Sequence, residues 1–413
     1  MSLSAIPLRT MNEYTGLIMT AQEKFIEMYP TATEMATSFC PYRICPIGAH
    51  SDHQFGKITG FAIDKGITIA YMRTENGIVE LTSLNFEGRV QFHMQKVPKK
   101  QNDWADYLRG ATVALGKLAE MRQVELPYGI YAVIEGSLPI GGLSSSAAVI
   151  ISYLSALCRA NGFSLTQEEI IRVALRAENE YVGVNVGKLD QSCEVFSKKG
   201  HLLYLDTRDD TYELIAANPA MKPYKIAIFF SGVERTLAGS KFNMRVDELK
   251  SAAYALLAYA GMEYGKYEDA RLRGVPVDVF ETYKDRLPEN WRKRATHFYT
   301  EFARVERGAE AWRKGDIEAF GRLSFESGRS SIYDYETGSD ELKTLYDIMR
   351  STDGIYGGRF SGAGFKGCCM ALIDPAFEER IREKVTREYL KVFPQLSEKF
   401  SVHACESADG VRL

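Results

Sequence analysis

Apolar and polar positions along the chain lay out a series of expected elements. Residues 19–36 carry a helical spacing, and residues 56–95 alternate with breaks at Asn76-Gly77 and Glu87-Gly88, which predicts consecutive strands joined by turns. Trp104, Tyr107, Leu108, Ala111, Leu115 and Leu118 recur at helical intervals and predict a helix over 104–122. Tyr128 to Glu135 alternates again, and the glycine-serine segment 136–146 then opens into the apolar helix Ala147–Ala160, giving strand, glycine loop, helix. Thr166 and Glu169 have capping-box spacing for a helix reaching about Val182, and Gly200–Asp206 reads as a short strand. Asn218-Pro219 and Lys222-Pro223 interrupt the pattern just before the apolar run Ile226–Phe230. That break places a first domain at 1–222 and a second at 223–413. In the second, several helices between 240 and 350 precede a Gly-rich segment at 354–367, a strand at Cys368–Ile373, and a final helix and strand.

Composition narrows the class of ligand. A chain of 413 residues exceeds what one core usually serves, so two domains with a cleft between them are expected. Hydrophobic residues at 45% and charged residues at 25% fit a globular protein, and a net charge of -3 lacks the basic excess that nucleic acid or an anionic membrane would attract. A small molecule is the expected partner, bound by a monomer or weak oligomer. Seven cysteines, scattered and odd in number, suit free thiols in a reducing compartment. The segment Met1–Ala5 has no basic region followed by a long apolar run, and no stretch of about 18 apolar residues occurs, so the expected location is cytoplasmic.

Four clusters carry chemistry. The first, Gly141-Gly142-Leu143-Ser144-Ser145-Ser146, sits between a strand and a helix. Glycines let a backbone approach a ligand, and the helix N-terminus offers free N–H groups and a positive dipole end, so an anion such as phosphate is expected there. The lysine of a Walker loop is missing. The second, Arg43 through His53, gathers one arginine, His50, Asp52 and His53 around Gly48. It fits a small polar ligand better than a metal, for which supporting ligands are lacking. The third pairs Glu178 with Asp190, twelve positions apart. Phosphoryl transfer needs oxygen ligands for Mg2+ and a carboxylate facing the attacking hydroxyl, which this pair can supply, but two acids in a chain holding 54 prove nothing alone. The fourth, Ser361-Gly362-Ala363-Gly364 before a strand, calls for positive φ or close backbone approach; its ordinary reading is a tight turn.

In combination and order these clusters resemble the three motifs of the GHMP kinases, and of the galactokinase branch in particular, over nearly the whole chain. Gly48-Ala49-His50-Ser51-Asp52-His53 stands where that branch has Gly-Glu-His-Thr-Asp-Tyr. Gly142 to Ala147 matches GLSSSA, Ser361 to Gly364 matches the Gly-rich loop, and Asp190-Gln191 follows Glu178 at the family distance. Trp104, Tyr107 and Gly110 match a further Trp-x-x-Tyr-x-x-Gly. The resemblance implies an α+β, two-domain fold: an N-terminal domain like ribosomal protein S5 domain 2 and a ferredoxin-like C-terminal domain, with the site between them. It also implies roles. The backbone of Gly141 to Ser146 would hold the ATP phosphates, and Ser146 and Glu178 would bind Mg2+. Asp190 would act on the sugar hydroxyl, with Arg43 beside both it and the transferring phosphoryl group, and His50 and Asp52 would bind sugar hydroxyls.

The departures bear on the substrate. Galactokinases place at Ala49 a glutamate that contacts the sugar near its C6 hydroxyl; a C6 carboxylate would be repelled by that acid, and alanine removes the repulsion. His53 replaces a tyrosine and could donate to a carboxylate. Phe242 stands where a Tyr-x-x-Arg loop brings a tyrosine to the sugar, and Lys241 or Arg235 is a candidate for the uronate carboxylate. Residues 41–54 and 359–369 resemble the galacturonate kinases of plants more than galactokinases. The resemblance therefore implies ATP-dependent phosphorylation of D-galacturonate at the anomeric hydroxyl. Galactokinase activity through a variant pocket, a sugar sensor without turnover, and a GHMP kinase for a non-sugar alcohol are the alternatives.

Overall fold

The computed structural model describes residues 19–32, 34–233 and 239–412. Arg235 lies outside them, as do Met1–Ala5, and the side chain of Lys241 is likewise not described. A first helix, α1 (Ala21–Met28), is closed by a capping box between Thr20 and Glu23 and ends at Tyr29, well short of residue 36. Pro30 follows, and extended backbone begins instead as β1 (Ala36–Ile44). The alternating stretch becomes β2 (Lys57–Thr74), β3 (Ile78–Ser83) and β4 (Arg89–His93), with turns at the two expected glycines. Helix α2 (Asp106–Met121) and strand β5 (Gly129–Gly136) then lead through the glycine loop into α3 (Ser145–Asn161).

Strand β2 organises the first sheet. It pairs with β1 on one edge while β5 and the short C-terminal strand Ser407–Ala408 share the other. Helix α3 is apolar on nearly every face and packs against both β1 and β2, as a helix without a polar side must. Its neighbour α4 (Gln167–Arg176) has the expected capping box but passes into a π-helical turn over Ala177–Val182. Helix α5 (Leu189–Phe196) follows, then the hairpin β6 (His201–Asp206) and β7 (Thr211–Ala216) at the sheet edge.

A four-stranded antiparallel sheet forms the second layer. It comprises β8 (Lys225–Phe230), β9 (Ile355–Phe360), β10 (Cys368–Ile373) and β11 (Ser401–Cys405), in the order β11-β8-β10-β9. Continuous apolar runs in β8 and β10 reflect burial on both faces. Ile226, Ile228, Met370 and Leu372 join the core of the first layer; Ala227, Phe229, Cys369 and Ala371 join a second core. That second core is closed by α10 (Asp340–Arg350) and α11 (Glu378–Val392). Between β8 and β9 the chain also forms α6 (Gly239–Tyr259), α7 (Val277–Tyr283), α8 (Glu289–Arg313) and α9 (Ile317–Tyr333). Strand β9 lies inside the segment whose glycines masked it in the sequence.

Those glycines set how closely α9 can lie on β9. A Cβ on Gly357 would stand 2.0 Å from the carbonyl oxygen of Gly321, and one on Gly321 would stand 2.1 Å from that of Tyr356. Gly357→Ala is therefore expected to lower stability by about 1–3 kcal/mol through overpacking. Urea unfolding measures it, and an unchanged midpoint would contradict the backbone contact.

Candidate active site

Four distant segments meet at one buried guanidinium. Arg43, near the end of β1, donates from Nε to Asp190 Oδ1 at 2.8 Å, and its second terminal nitrogen lies 2.7 Å from the same oxygen. Its other terminal nitrogen reaches the Gly142 carbonyl at 3.1 Å and Ser361 Oγ at 3.5 Å. Burial alone would weaken the proton's hold on Arg43, but Asp190 more than offsets it and the pKa rises. Glu194, one turn along α5, is fully buried; burial and then the Asp190 charge push its pKa well up, so it stays protonated and leaves Arg43 to Asp190.

The two glycine loops meet backbone to backbone. Gly142 and Gly362 both have positive φ, and a Cβ on Gly362 would stand 2.8 Å from Gly142 Cα, so close approach here serves loop packing as well as any ligand. Ser144, also left-handed at φ 60°, is the N-cap residue of α3 but makes no capping hydrogen bond, and its hydroxyl is buried without a partner among the described residues. Ser145 and Ser146 are half-buried in the first turn behind it. Glu178 is buried in the π-helical turn, where its carboxylate accepts from Gln191 Nε2, the residue after Asp190. Among the described residues no three His, Cys, Asp or Glu side chains gather as a metal cage, His50, Asp52 and His53 included.

The loop at residues 46–54 is gripped from two sides. On β2, Thr59 Oγ1 accepts from Ile47 N at 3.1 Å and donates to Ile47 O at 2.7 Å. On α8, Glu301 accepts from Gly48 N at 2.6 Å, and His297 Nε2 donates to the Ala49 carbonyl at 3.0 Å. These two residues, four apart on one helix face, bracket the Gly48-Ala49 pair. Asp52 accepts from Leu189 N at 3.1 Å, beside Asp190. His53 meets the Phe242 ring edge-on at 6.0 Å, and His50 stacks on Tyr335 at 4.2 Å. Burial lowers the pKa of His50, His53 and His297, His53 to about 3, so all three are neutral. Both ring nitrogens of His53 face neighbours, Gln54 and Tyr335, at 3.4 Å. Arg43, Gly142, Ser361 and Asp190 are thus joined directly, with Glu178 linked through Gln191 and Phe242 through His53. Gln54, from the stretch 41–54, lies beside His53, and Glu194, His297, Glu301 and Tyr335, which carry no motif signal, complete the surroundings.

The chain fits the GHMP kinases N terminal domain over residues 107–198 and the GHMP kinases C terminal family over 309–391. It is 37% identical over 404 residues to the galacturonokinase of Arabidopsis thaliana, covering 92% of this chain and 94% of that one. The chain belongs to the GHMP kinases. The galactokinase of Thermococcus kodakarensis is 32% identical over 369 residues, 89% of this chain and 98% of its own. The Lactococcus lactis galactokinase, solved with galactose, superposes with a TM-score of 0.85 at 28% identity over 95% of this chain and 98% of its own. The Methanococcus jannaschii mevalonate kinase shares the fold, with a TM-score of 0.62 at 16% identity over 92% of this chain and 99% of its own. The α+β, two-domain GHMP kinase fold expected from the motifs is the fold found, and the protein is an enzyme of this kinase class.

In this kinase Asp52 holds its proton unusually tightly. Burial, opposed by the Leu189 N–H and reinforced by Asp190, raises its pKa to about 6. A raised carboxyl pKa stabilises the fold fully below about pH 4, and that contribution is lost as pH rises through about 6. Asp52→Asn should therefore gain on the parent between pH 4 and pH 7.5, on the order of 2–3 kcal/mol, in urea unfolding at the two pH values. A pH-independent difference would exclude a buried charge at Asp52.

Proposed function

We propose that this kinase transfers the γ-phosphoryl group of ATP to O1 of D-galacturonate, giving alpha-D-galacturonate 1-phosphate and ADP. The observation that carries the substrate is Ala49. It is 5% exposed and pinned through its carbonyl to His297, where a galactokinase would carry an acid. Arg359 and Arg43 are the guanidiniums that most oppose protonation of neighbouring His50, and their charge favours a carboxylate at C6. The Arabidopsis relative named galacturonokinase supports the same reading.

Each side chain then has a part. Asp190, paired with Arg43, accepts the hydrogen bond of the O1 hydroxyl and takes its proton as the new O–P bond forms. Arg43 also faces Gly142 and Ser361, so its charge lies where the two glycine loops meet and charge builds on the transferred group. The backbone of Gly141, Gly142, Leu143, Ser144, Ser145 and Ser146, at the uncapped start of α3, binds the ATP phosphates. Ser361, Gly362, Ala363 and Gly364 close the loop from the second layer. One carboxylate and one hydroxyl, Glu178 and Ser146, suit Mg2+, which favours few protein oxygens and takes the rest from phosphates and water; bound there, it would neutralise phosphate charge. His50 and Asp52 bind sugar hydroxyls, with Ala49, His53 and Phe242 shaping the C6 side. We place the enzyme in the cytoplasm on its seven cysteines, all buried and free, which suit a reducing compartment; no helix among the described residues is long and apolar enough to cross a membrane.

Two measurements test this. Steady-state kinetics should give a larger kcat/KM for galacturonate than for galactose, and Ala49→Glu should move that ratio toward galactose by roughly tenfold or more, by restoring the repulsive acid. A parent enzyme that prefers galactose would reverse the assignment. Asp190→Asn should lower kcat by about 10²–10⁴-fold while sugar binding, read by calorimetry, stays within a few-fold. Turnover at the parent rate would remove Asp190 from its role.

A further inference from the structure

Outside the candidate active site, one cavity is both basic and aromatic. It holds about 440 Å3 and lies where residues 263–274, the connection after α6, run beside Phe55 and Arg208. None of the residues given a part with ATP or the sugar lines it. Arg208, Lys266, Arg271 and Arg273 do, with two exposed acids, Glu263 and Asp269. Arg273 is committed to Asp206 at 2.6 Å. The other three cations form no ion pair among the described residues. The acids that follow Arg208 are already engaged, Asp209 by Thr211 and Asp210 by Lys188.

Arg271 is the fixed member of the set. Its guanidinium lies over the Phe55 ring, 5.2 Å from the centroid, and Nη1 donates to the carbonyls of Glu268 and Ala270 at 2.6 and 2.8 Å. Nε is buried without a partner among the described residues. Burial lowers the Arg271 pKa, with the Asp269 charge opposing it, so an anion brought alongside would relieve a partly desolvated cation. The wall behind it is pinned: Leu272 N donates to Gln54 Oε1 at 3.0 Å, and the Tyr299 hydroxyl donates to the Val275 carbonyl at 3.0 Å. Opposite the charges, Tyr254 and Tyr264 meet edge-on with ring centroids 4.8 Å apart, and Leu257 completes an apolar wall.

We propose that this cavity is a second ligand site, for a small phosphorylated molecule whose phosphate meets Arg208, Lys266 and Arg271 and whose ring lies against Tyr254, Tyr264 and Leu257. Three cations without a counter-charge match a phosphate dianion, whereas a single carboxylate would leave most of that charge unanswered. The volume is that of a small-molecule site, and the aromatic wall gives a sugar or base ring a surface to cover. The wall is preformed, so binding need not order it first.

Calorimetric titration of the full chain tests the proposal, with the nucleotide site first saturated by a non-hydrolysable ATP analogue and Mg2+. Inorganic phosphate, glucose 6-phosphate and AMP serve as probes, which separates phosphate alone from a sugar or a nucleoside ester. At least one ester should bind saturably, one per chain, and more tightly than inorganic phosphate. Arg208→Gln combined with Lys266→Gln, two exposed side chains, should weaken that binding by about tenfold. Asp269→Asn removes an opposing charge and should tighten it by about two- to fivefold, a gain that a misfolded variant could not produce. No saturable heat from any probe at millimolar concentration, or equal affinity in the parent and the double variant, overturns the proposal. Esters that bind no more tightly than inorganic phosphate overturn the role of the aromatic wall.

Discussion

The contact between Arg43 and Asp190 is the constraint on which the rest of the site depends. Taking a guanidinium out of water costs several kcal/mol unless its donors are matched, and here a carboxylate, a backbone carbonyl and a hydroxyl from three other segments take them. Each partner must therefore come to Arg43. Asp190 comes because α5 begins at Leu189, Gly142 because its loop has no side chain to hold it off Ser361 and Gly362, and Ser361 because β9 ends one residue before it. One buried charge thus draws motifs more than 300 positions apart into a single centre. Protonated Glu194 keeps the balance, since a second ionised acid beneath Asp190 would compete for the same arginine.

What the sequence discloses follows from how local each signal is. The glycine loop and α3 are legible because a strand, two glycines, three serines and an apolar helix are adjacent in the chain. Strands β8 and β10 are legible because burial on both faces leaves an unbroken apolar run. Strand β1 is not, because Pro41 interrupts it and its register is supplied by β2 across the sheet. Strand β9 is hidden by Gly357 and Gly358, which are present for the contact with α9 and Met370 rather than for a turn.

Helix α8 shows the same limit for the site. His297, Glu301 and Arg304 belong to a strongly polar sequence that reads as a solvated surface, yet all three are buried. His297 and Glu301 reach Gly48 and Ala49, some 250 residues away, and Glu301 also meets Arg359 and Ser327, while Arg304 pairs with Glu301 and Thr300. No period or spacing within the helix reports such contacts. His53 illustrates a subtler case: a polar ring at that position is legible, but its contacts with Gln54 and Tyr335 are ones only the fold can show.

The two halves of the site are consequently built differently. The loop that carries Ala49, His50 and Asp52 has its backbone committed on both sides, to Thr59 and to the His297–Glu301 pair, before any ligand arrives. Burial moves the titration of its side chains away from their ordinary values, downward for His50 and His53 and upward for Asp52. On the function proposed above, such preorganisation would raise discrimination between sugars at some expense of stability, because a rigid pocket leaves a wrong substituent at C6 without a partner. The phosphate side is less committed. Ser144 sits left-handed and uncapped, its hydroxyl unpartnered, ahead of two half-buried serines at an open helix start. On the function proposed above, selectivity belongs to the sugar loop and its grip by α8, whereas the glycine loops have polar groups left over for the nucleotide to satisfy. Arg43, which touches both glycine loops and Asp190, is where completion of the second half is felt by the first.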